Sequence, residues 1–426
     1  MPNLEQIQKT HPQLASIFAK NWELTLDEYA PKLYQTDSVK LEPLFLSAFE
    51  QTLQGNGYSP VEIKSATAQL LKKPVFQTSH HLTPTHGPTF FTLDLQCLSG
   101  LGESEPLLIG ANSGVSFSNT AWSGALSFQD LELGQLLKLD SPLFRQTQKA
   151  QSEREAHGEM QKRISLIPSK LRDQLVFGEA APLNLVEAYA QMTEPLQALL
   201  PVPKEGQDYS AWALQAARNI QKSIFGVELI VFDINQLVCN YLVALLEKDA
   251  EHPLCLFLFD GKKIEAFNQT QGNPFGFLGS YKGKKSSKVE ILSWDGSKVT
   301  GPKRGEKTFT PQGLAQELRS GRICPGIALV FLTLHFFTHI KCLGSFNQIE
   351  YLSSMKNGLT ALELDFDLPE IGGESLTTGR LLKGGKGYMP LDLAMNKLKI
   401  NPQDFTQKTM GDFWDYYLKR LIDESS

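Results

Sequence analysis

The chain has 426 residues, of which 41% are hydrophobic and 20% are charged. At about 150 residues per domain this length predicts two or three domains, and the composition excludes a disordered chain. Lysine and arginine number 41 against 46 acidic residues, a net charge of −5, which excludes a globally basic nucleic-acid-binding protein. The five cysteines include no Cys-x-x-Cys pair, so they indicate reduced thiols, neither a disulfide framework nor a zinc knuckle.

The sequence predicts a cytoplasmic protein with no membrane partner. The first residues, MPNLEQIQKTHPQ, have no basic segment followed by an apolar stretch, so no cleaved secretory signal is expected. The most apolar window, residues 326–343, approaches the length of a membrane span but contains His335, His339 and Lys341, which hydrocarbon disfavours. We therefore expect a buried core helix there. Secretion by a route that needs no cleaved signal stays open.

The first half of the chain predicts helices followed by strand–helix–strand units. Residues 1–72 carry apolar residues at three- and four-residue spacing, which predicts an N-terminal helical region. Strands are predicted at 74–79 and 106–111, on either side of a helix at 88–98, and this order is typical of a parallel sheet. A second unit has predicted strands at 227–232 and 253–259, with Asp233 or Asn235 capping the helix between them.

The predicted fold class is α/β, with a mostly parallel, Rossmann-like sheet. Its core takes residues 73–145 and 224–259, and charged sequence broken by prolines predicts a helical insertion at 146–223. Residues 260–308 predict an antiparallel β appendage with hairpin turns at Asp260-Gly261 and Asp295-Gly296. Residues 309–426 form a C-terminal helical part that completes the core, beginning with a helix capped by Thr310.

Three of the eight histidines, His80, His81 and His86, lie within seven residues between the first strand and its helix. Ligands of open parallel sheets lie outside the carboxyl ends of the strands, and a helix N-terminus there offers N–H groups to an anion. Imidazole serves acid–base chemistry near neutral pH or binds a metal, so we predict that these three residues are catalytic. The alternative is a turn whose histidines are solvated or cap the helix.

Polar loops after the second strand and after the strand at 227–232 predict a substrate-binding set. Side-chain hydroxyls and amides near a glycine bind polar substrates by hydrogen bonds, although an ordinary polar loop has the same composition. The spacing is not that of a Gly-x-Ser-x-Gly elbow, so a serine hydrolase is not indicated. The predicted substrate-binding residues are Asn112, Ser113, Ser116, Asn119, Asp233 and Asn235.

A second pair of histidines lies inside the apolar window. A spacing of four places His335 and His339 on one face of a helix, as a metal pair requires, whereas core histidines with hydrogen-bond partners are the alternative. No Glu follows His335, so the metalloprotease signature is absent. If this helix abuts the histidine loop, a divalent metal, zinc or iron, is the cofactor that it would hold. The predicted ligands are His80, His86, His335 and His339.

Residues 282–307 hold eight basic and three acidic residues. Such a stretch attracts phosphate or nucleic acid, but solvated hairpin faces explain it equally, because lysine on exposed strands also prevents edge pairing. We expect the second explanation and no nucleic-acid partner. The glycines and lysines near 279–284 and 379–386 lack P-loop spacing.

The histidine motif carries a resemblance. His80-His81, Pro84, His86-Gly87-Pro88 and Phe90-Phe91, followed by residues 114–119, resemble an uncharacterised group of bacterial proteins. More faintly, residues 74–128 are similar to the cysteine-adding ligases of bacillithiol synthesis. The resemblance implies a Rossmann-like fold with the histidine turn at the mouth of the site, and a group-transfer or carbon–nitrogen ligase reaction.

The sequence thus predicts a cytosolic enzyme that acts on a small polar, anionic metabolite. The histidine turn would supply acid–base or metal chemistry, and the polar loops would orient the substrate. The alternative, from a different class, is a non-catalytic protein that binds a ligand or a partner.

Overall fold

The fold is taken from a computed structural model, which describes most of the chain. The described residues are 4–36, 39–82, 87–114, 126–128, 144–149, 163–168, 185–190, 192–204, 207, 209–270, 275–282, 287–362, 364, 368–369, 371, 373–383 and 386–425.

Helices occupy the N-terminal region, as the spacing of its apolar residues predicts. Two of them begin with a capping box: Thr25 and Ser59 accept the backbone N–H of Glu28 and Glu62, whose carboxylates bond back to the cap. The helices are α1 (Glu5–Gln8), α2 (Pro12–Asn21), α3 (Leu26–Leu33), α4 (Pro43–Gly55) and α5 (Pro60–Lys72).

The first strand–helix–strand unit is confirmed. It consists of β1 (Val75–Gln77), α6 (Pro88–Ser99) and β2 (Leu107–Ala111), and the two strands pair in parallel. Every residue of α6 from Phe90 to Leu98 is buried, so this helix lies inside the protein and not on its surface.

The predicted helical insertion is wrong in its first part. Phe144–Lys149 and Arg163–Pro168 are strands of an antiparallel sheet ordered β3-β5-β4. Cross-strand pairing of the apolar residues in Arg163–Pro168 outweighs the helix propensity of the charged sequence around them. The elements are β3 (Leu126–Phe128), β4 (Phe144–Lys149), β5 (Arg163–Pro168), α7 (Leu185–Ala190), α8 (Glu194–Leu199) and α9 (Tyr209–Phe225).

The second unit is right in its first strand and helix and wrong in its last strand. β6 (Leu229–Asp233) leads into α10 (Ile234–Lys248), whose N-cap is Asp233, one of the two predicted caps. The run at 253–259 is instead the helix α11 (Pro253–Leu258), because the His252 ring accepts the N–H of Leu254 at a cap followed by proline.

The Asp260-Gly261 hairpin prediction is also wrong. Asp260 Oδ1 accepts the N–H groups of Lys262 and Lys263 at 3.1 Å each. This is the bonding of a helix N-cap, and Asp260 therefore precedes α12 (Gly261–Thr270) instead of turning a hairpin.

An antiparallel sheet of five strands follows, in the order β10-β9-β8-β7-β11. Here the Asp295-Gly296 hairpin is confirmed: Asp295 Oδ1 accepts the N–H of Ser297 and of Lys298, and Gly296 has a φ of 96°. The Thr310 cap is confirmed too. The elements are β7 (Gly276–Lys282), β8 (Ser287–Trp294), β9 (Lys298–Gly301), β10 (Gly305–Thr308), α13 (Pro311–Arg319) and β11 (Ile323–Pro325).

The prediction of one buried helix for the apolar window at 326–343 is wrong. A short helix and a π-helix end at Phe337, His339 takes a left-handed φ of 55°, and the chain then forms a strand beside β1. A three-residue apolar strand has no periodicity that separates it from a helix end. The elements are α14 (Ile327–Phe331), the π-helix Leu332–Phe337, β12 (Lys341–Leu343) and α15 (Phe346–Thr360).

The C-terminal part is mostly helical and ends in a long helix. It contains the 3-10 helices Gly373–Ser375 and Pro402–Phe405, β13 (Leu382–Lys383), β14 (Lys386–Gly387), α16 (Pro390–Met395) and α17 (Met410–Ser425).

The central feature is a four-stranded parallel sheet in the order β12-β1-β2-β6. Successive residues alternate between two hydrophobic cores: Val75 and Ile109 pack in one, and Phe76 and Leu108 in the other. Both faces are therefore covered, as parallel sheets require. The protein is an α/β protein. Among the described residues, no helix combines the length and apolar character needed to cross a membrane.

Candidate functional site

The carboxyl ends of the four parallel strands meet at one edge of the sheet. The chain runs from β1 through β2 to β6 on one side of β1 and returns to β12 on the other, so the strand order reverses between β1 and β12. Open α/β sheets bind ligands at such a reversal. The segment that follows Gly373–Ser375 lies beside the carboxyl end of β12, because Gly344 N donates to Ser375 O and Thr377 N donates to Gly344 O, both at 2.9 Å.

A buried histidine–carboxylate pair lies just beyond the end of β1. His80 Nε2 is 2.8 Å from Oδ1 of Asp94, which projects from α6, and each residue is only 1% exposed. The second oxygen of Asp94 accepts a hydrogen bond of 2.7 Å from Nε2 of Gln221 on α9. The end of β1 and the helix α9 thus each place a side chain on the Asp94 carboxyl group of α6.

Burial sets the electrostatics of this pair. It raises the pKa of Asp94 above its ordinary value, whereas the adjacent His80 acts in the opposite direction. A charge in a dry interior is costly unless it is paired and hydrogen-bonded, and both Asp94 oxygens do have a partner. The hydrogen bonds on both oxygens therefore offset part of the unfavourable burial of the carboxylate.

His81 differs from its neighbour in being half-buried. Burial, together with the adjacent His80, lowers the pKa of His81 to about 4, so its imidazole is neutral at pH 7. Its ring packs against Phe90, with ring centroids 6.1 Å apart, and its backbone pairs with that of Asn112 at the end of β2. This neutral imidazole therefore lies at the carboxyl edge of the sheet.

The predicted substrate-binding residues that can be placed bond to one another. Ser113 Oγ donates to Asp233 Oδ1 at 2.7 Å, and Asn235 Oδ1 accepts the N–H groups of Ser113 and Gly114 at 2.9 and 3.0 Å. Asn112 Oδ1 accepts the N–H of Gly114 as well. These bonds hold the loop after β2 against the start of α10, and substrate binding by these residues stays a prediction.

Three of the predicted site residues, His86, Ser116 and Asn119, lie outside the described residues.

Other polar groups near the end of β1 are buried without a hydrogen-bond partner among the described residues. They are the Ser79 hydroxyl, both amide atoms of Gln96 and the Thr378 hydroxyl. Gln77 links this region, because its Oε1 accepts Ser79 N and its Nε2 donates to Thr377 Oγ1. Unpaired buried polar atoms are unfavourable, and a polar molecule bound here would supply the missing hydrogen-bond partners.

Of the predicted metal ligands His80, His86, His335 and His339, the three described ones do not come together, and His86 lies outside the described residues. Lys341 pairs with Val75 at the start of β1, so His335 and His339 lie at the amino end of the sheet, whereas His80 lies past its carboxyl end. His335 and His339 also do not share a helical face, since the helix ends between them. Within the described residues, no group of three or more His, Cys, Asp or Glu has a metal-binding arrangement.

The described part of the basic stretch 282–307 is tied into the antiparallel sheet. Lys307 Nζ is 2.8 Å from Glu317, and Lys298 Nζ is 3.1 Å from Glu306. Glu290 accepts the backbone N–H groups of Lys303 and Arg304. These ion pairs and turn bonds agree with the expectation that the stretch forms hairpin faces.

Sequence reasoning missed Asp94 and Gln221. Asp94 is the one charged residue in the apolar helix Pro88–Ser99, and a lone charge in a buried helix signals a buried partner. No comparable signal marks Gln221, which lies 127 residues from Asp94 in the chain.

Comparison with known proteins adds no further lead: no protein-family model, no curated protein and no solved structure matches this chain.

Proposed function

We propose that this protein is an enzyme that acts on a small polar, anionic metabolite at the carboxyl edge of its parallel sheet. His80 and His81 are the residues that move protons. The observation that carries the proposal is the buried His80–Asp94 pair, with its 2.8 Å contact. A carboxylate that orients an imidazole and stabilises its protonated form is a recurrent arrangement for acid–base catalysis.

The state of His81 supports this role. A general base must be unprotonated at the working pH, and the pKa of about 4 meets this condition, while making the His81 imidazole a weaker base than one with a pKa near 7. His81 is also more exposed than His80, so a substrate can reach it first. In this arrangement His81 contacts the substrate, and the His80–Asp94 pair lies directly behind it.

The surroundings favour an anionic substrate. The N-terminus of α6 faces this edge, its cap residue is Gly87, which has no side chain to bond the N–H groups of the first turn, and that turn contains no acidic residue. Arg380, which is 4% exposed, lies beside this turn, because Gly387 packs closely against both Pro88 and Arg380 Nε. A helix N-terminus and a guanidinium both stabilise negative charge.

The reaction proposed is group transfer or carbon–nitrogen ligation, the type that the resemblance implies. In such a step the amine of one substrate loses a proton to a neutral imidazole, and its lone pair forms the new bond to the carbonyl carbon of an acyl donor. The oxygen of the donor's leaving group departs with the electrons of the C–O bond that breaks and takes a proton from the imidazolium. One imidazole thus serves both halves of the reaction.

A non-catalytic binding protein is the second candidate function. The observation that favours it is the burial of His80, since a 1% exposed imidazole is also what a purely structural core pair would show.

The test begins with a thermal-shift screen of the wild-type protein against amino acids, hydroxy acids, sugar phosphates and nucleotides. The ligands found are then offered singly and in pairs, and product formation is measured for the wild type, His80→Gln and His81→Gln. We expect both variants to keep ligand affinity within a few-fold and to lose turnover by about 100-fold or more.

The matched control is His252→Gln, which removes a histidine of similar burial that also contacts a carboxylate. It should keep wild-type turnover. Product formation that is equal in the wild type, His80→Gln and His81→Gln would refute the catalytic role, and binding with no product in any of them would favour the second candidate.

A further inference from the structure

Gln221 makes the second hydrogen bond to the Asp94 carboxyl group. It lies on α9, is 7% exposed, and its Nε2 donates to Asp94 Oδ2 at 2.7 Å. The other Asp94 oxygen is taken by His80 Nε2. An ionised carboxylate only accepts hydrogen bonds, so the contact defines the orientation of the Gln221 amide.

We infer that Gln221 is a positioning residue of the His80–Asp94 pair: its amide keeps the buried Asp94 carboxylate ionised and facing the imidazole. This inference rests on the proposed function, because it assigns Gln221 a part in the same proton transfer. Gln221 itself does not touch the substrate.

The physical reason is competition for one proton. Burial favours the neutral carboxyl and raises the pKa of Asp94. A donor on the oxygen that faces away from His80 stabilises the carboxylate, and a hydrogen bond to a charged group is stronger than one between neutral groups. With Gln221 in place the ionised form of Asp94 is favoured, whereas without it burial favours the neutral carboxyl group more strongly.

The other titratable groups near Asp94 leave this assignment unchanged. The thiol of Cys97, on α6, and the phenol of Tyr34 both interact electrostatically with Asp94. Burial raises the pKa of each well above neutrality, so both groups are uncharged at pH 7. Among the described residues, the imidazole of His80 and the amide of Gln221 are the groups that hydrogen-bond the Asp94 carboxyl oxygens.

The experiment is a carbon-13 NMR titration of protein labelled at the aspartate carboxyl carbons, with Asp94→Asn used to assign the Asp94 signal. Gln221→Met removes the donor at nearly constant side-chain length, and Gln221→Glu is isosteric but substitutes a second carboxyl group. We expect the Asp94 signal to titrate about one pH unit or more higher in Gln221→Met, and at least as far in Gln221→Glu.

The matched control is Gln348→Met. Gln348 is 1% exposed and its amide bonds Thr78 and the backbone of Cys342 instead of Asp94. It loses buried hydrogen bonds of the same kind and should leave the Asp94 titration where it is in the wild type. Thermal unfolding establishes that each variant is folded at the temperature of the titration.

An Asp94 signal that titrates at the same pH in the wild type, Gln221→Met and Gln221→Glu would overturn the inference, as would an equal shift in Gln348→Met. The titration requires no substrate, so it reads out the role of Gln221 separately from the turnover of His80→Gln. If His80→Gln kept full turnover, the proposed function would fail, and the titration of Asp94 would still report on Gln221.

Discussion

Two histidine–carboxylate pairs in this protein have the same chemistry and different surroundings. His252 Nε2 lies 3.0 Å from Glu42 Oε1, close to the 2.8 Å that separates His80 from Asp94. The side chain of Glu42 is 42% exposed, whereas that of Asp94 is 2% exposed. The distance between the two groups therefore does not distinguish the pairs, and their burial does.

The bonds of His252 explain why its pair is structural. Its Nδ1 accepts the N–H of Leu254 and caps α11, so Nε2 carries the hydrogen that points at Glu42. Glu42 also accepts the hydroxyl of Tyr241 at 2.6 Å, which ties α4 to α10. The imidazole is held by both nitrogens between helices, away from the carboxyl edge of the sheet. A histidine paired with a carboxylate therefore does not by itself mark a site.

The largest effect expected from this comparison is on stability. Asp94→Ala leaves the buried polar groups of His80 and Gln221 without their partner, so we expect the free energy of unfolding to fall by about 3–5 kcal/mol. Glu42→Ala removes a carboxylate that water already solvates, and should cost about 1 kcal/mol. Urea unfolding at pH 7 measures both, and equal losses would mean that burial does not separate the two pairs.

The sequence predicted most of the parallel sheet because its strands are apolar runs next to turn residues, as in Leu107–Ala111 and Leu229–Asp233. It did not predict β12, since Lys341–Leu343 continues the apolar run of the preceding helix and only its pairing with β1 makes it a strand. The helix Pro253–Leu258 was mistaken for a strand for a related reason: six apolar residues carry no usable period, and the decisive cap comes from a histidine ring.

The geometry of the candidate site was predicted in part. The position of His80 and His81 was predicted because parallel strands deliver the residues after them to a common edge. The partners of His80 were not, because helix packing sets which side chain meets an imidazole, and Asp94 and Gln221 come from two different helices. For Ser113, Asp233 and Asn235 the location was right, but the polar groups are used in mutual hydrogen bonds.

A third buried histidine sharpens the comparison because it contacts no carboxylate in its described surroundings. His335 is 4% exposed, and its Nδ1 is 3.3 Å from the carbonyl oxygen of Ile340. Burial is the largest cause that lowers the pKa of His335 to about 4, whereas an unfolded chain takes up the proton near pH 6.5. Between these values the unfolded state binds more protons, so acidification from pH 7 towards pH 4 favours unfolding.

We therefore expect His335 to reduce the free energy of unfolding by on the order of 2 kcal/mol between pH 7 and pH 5, at about 1.4 kcal/mol per pH unit below pH 6.5. The His335→Gln variant lacks this dependence, and groups that titrate in both proteins cancel in the difference. Urea unfolding at a series of pH values measures it. Parallel stability profiles for the wild type and the variant would show that His335 does not stay neutral in the folded protein.

The smallest expected effect is that of the exposed pair. The hydrogen bond from His252 is the main cause that lowers the pKa of Glu42 below its ordinary value. A folded-state pKa below the unfolded one gives stability that is present above the ordinary glutamate range, near pH 4.3, and is lost as the pH falls through the folded pKa.

Glu42→Gln should therefore cost less than about 1 kcal/mol at pH 7, because partial exposure screens the charge, and the cost should vanish in acid. Salt should also reduce the stability lost in Glu42→Gln, whereas the stability lost on removing Asp94 should depend little on salt, because that pair is buried. Thermal unfolding of the wild type and Glu42→Gln at pH 7 and pH 3, at low and high salt, measures both trends. If Glu42→Gln instead cost several kcal/mol at pH 7 and kept that cost in salt, the exposed pair would match the buried one, and burial would not separate the energetics of the two pairs.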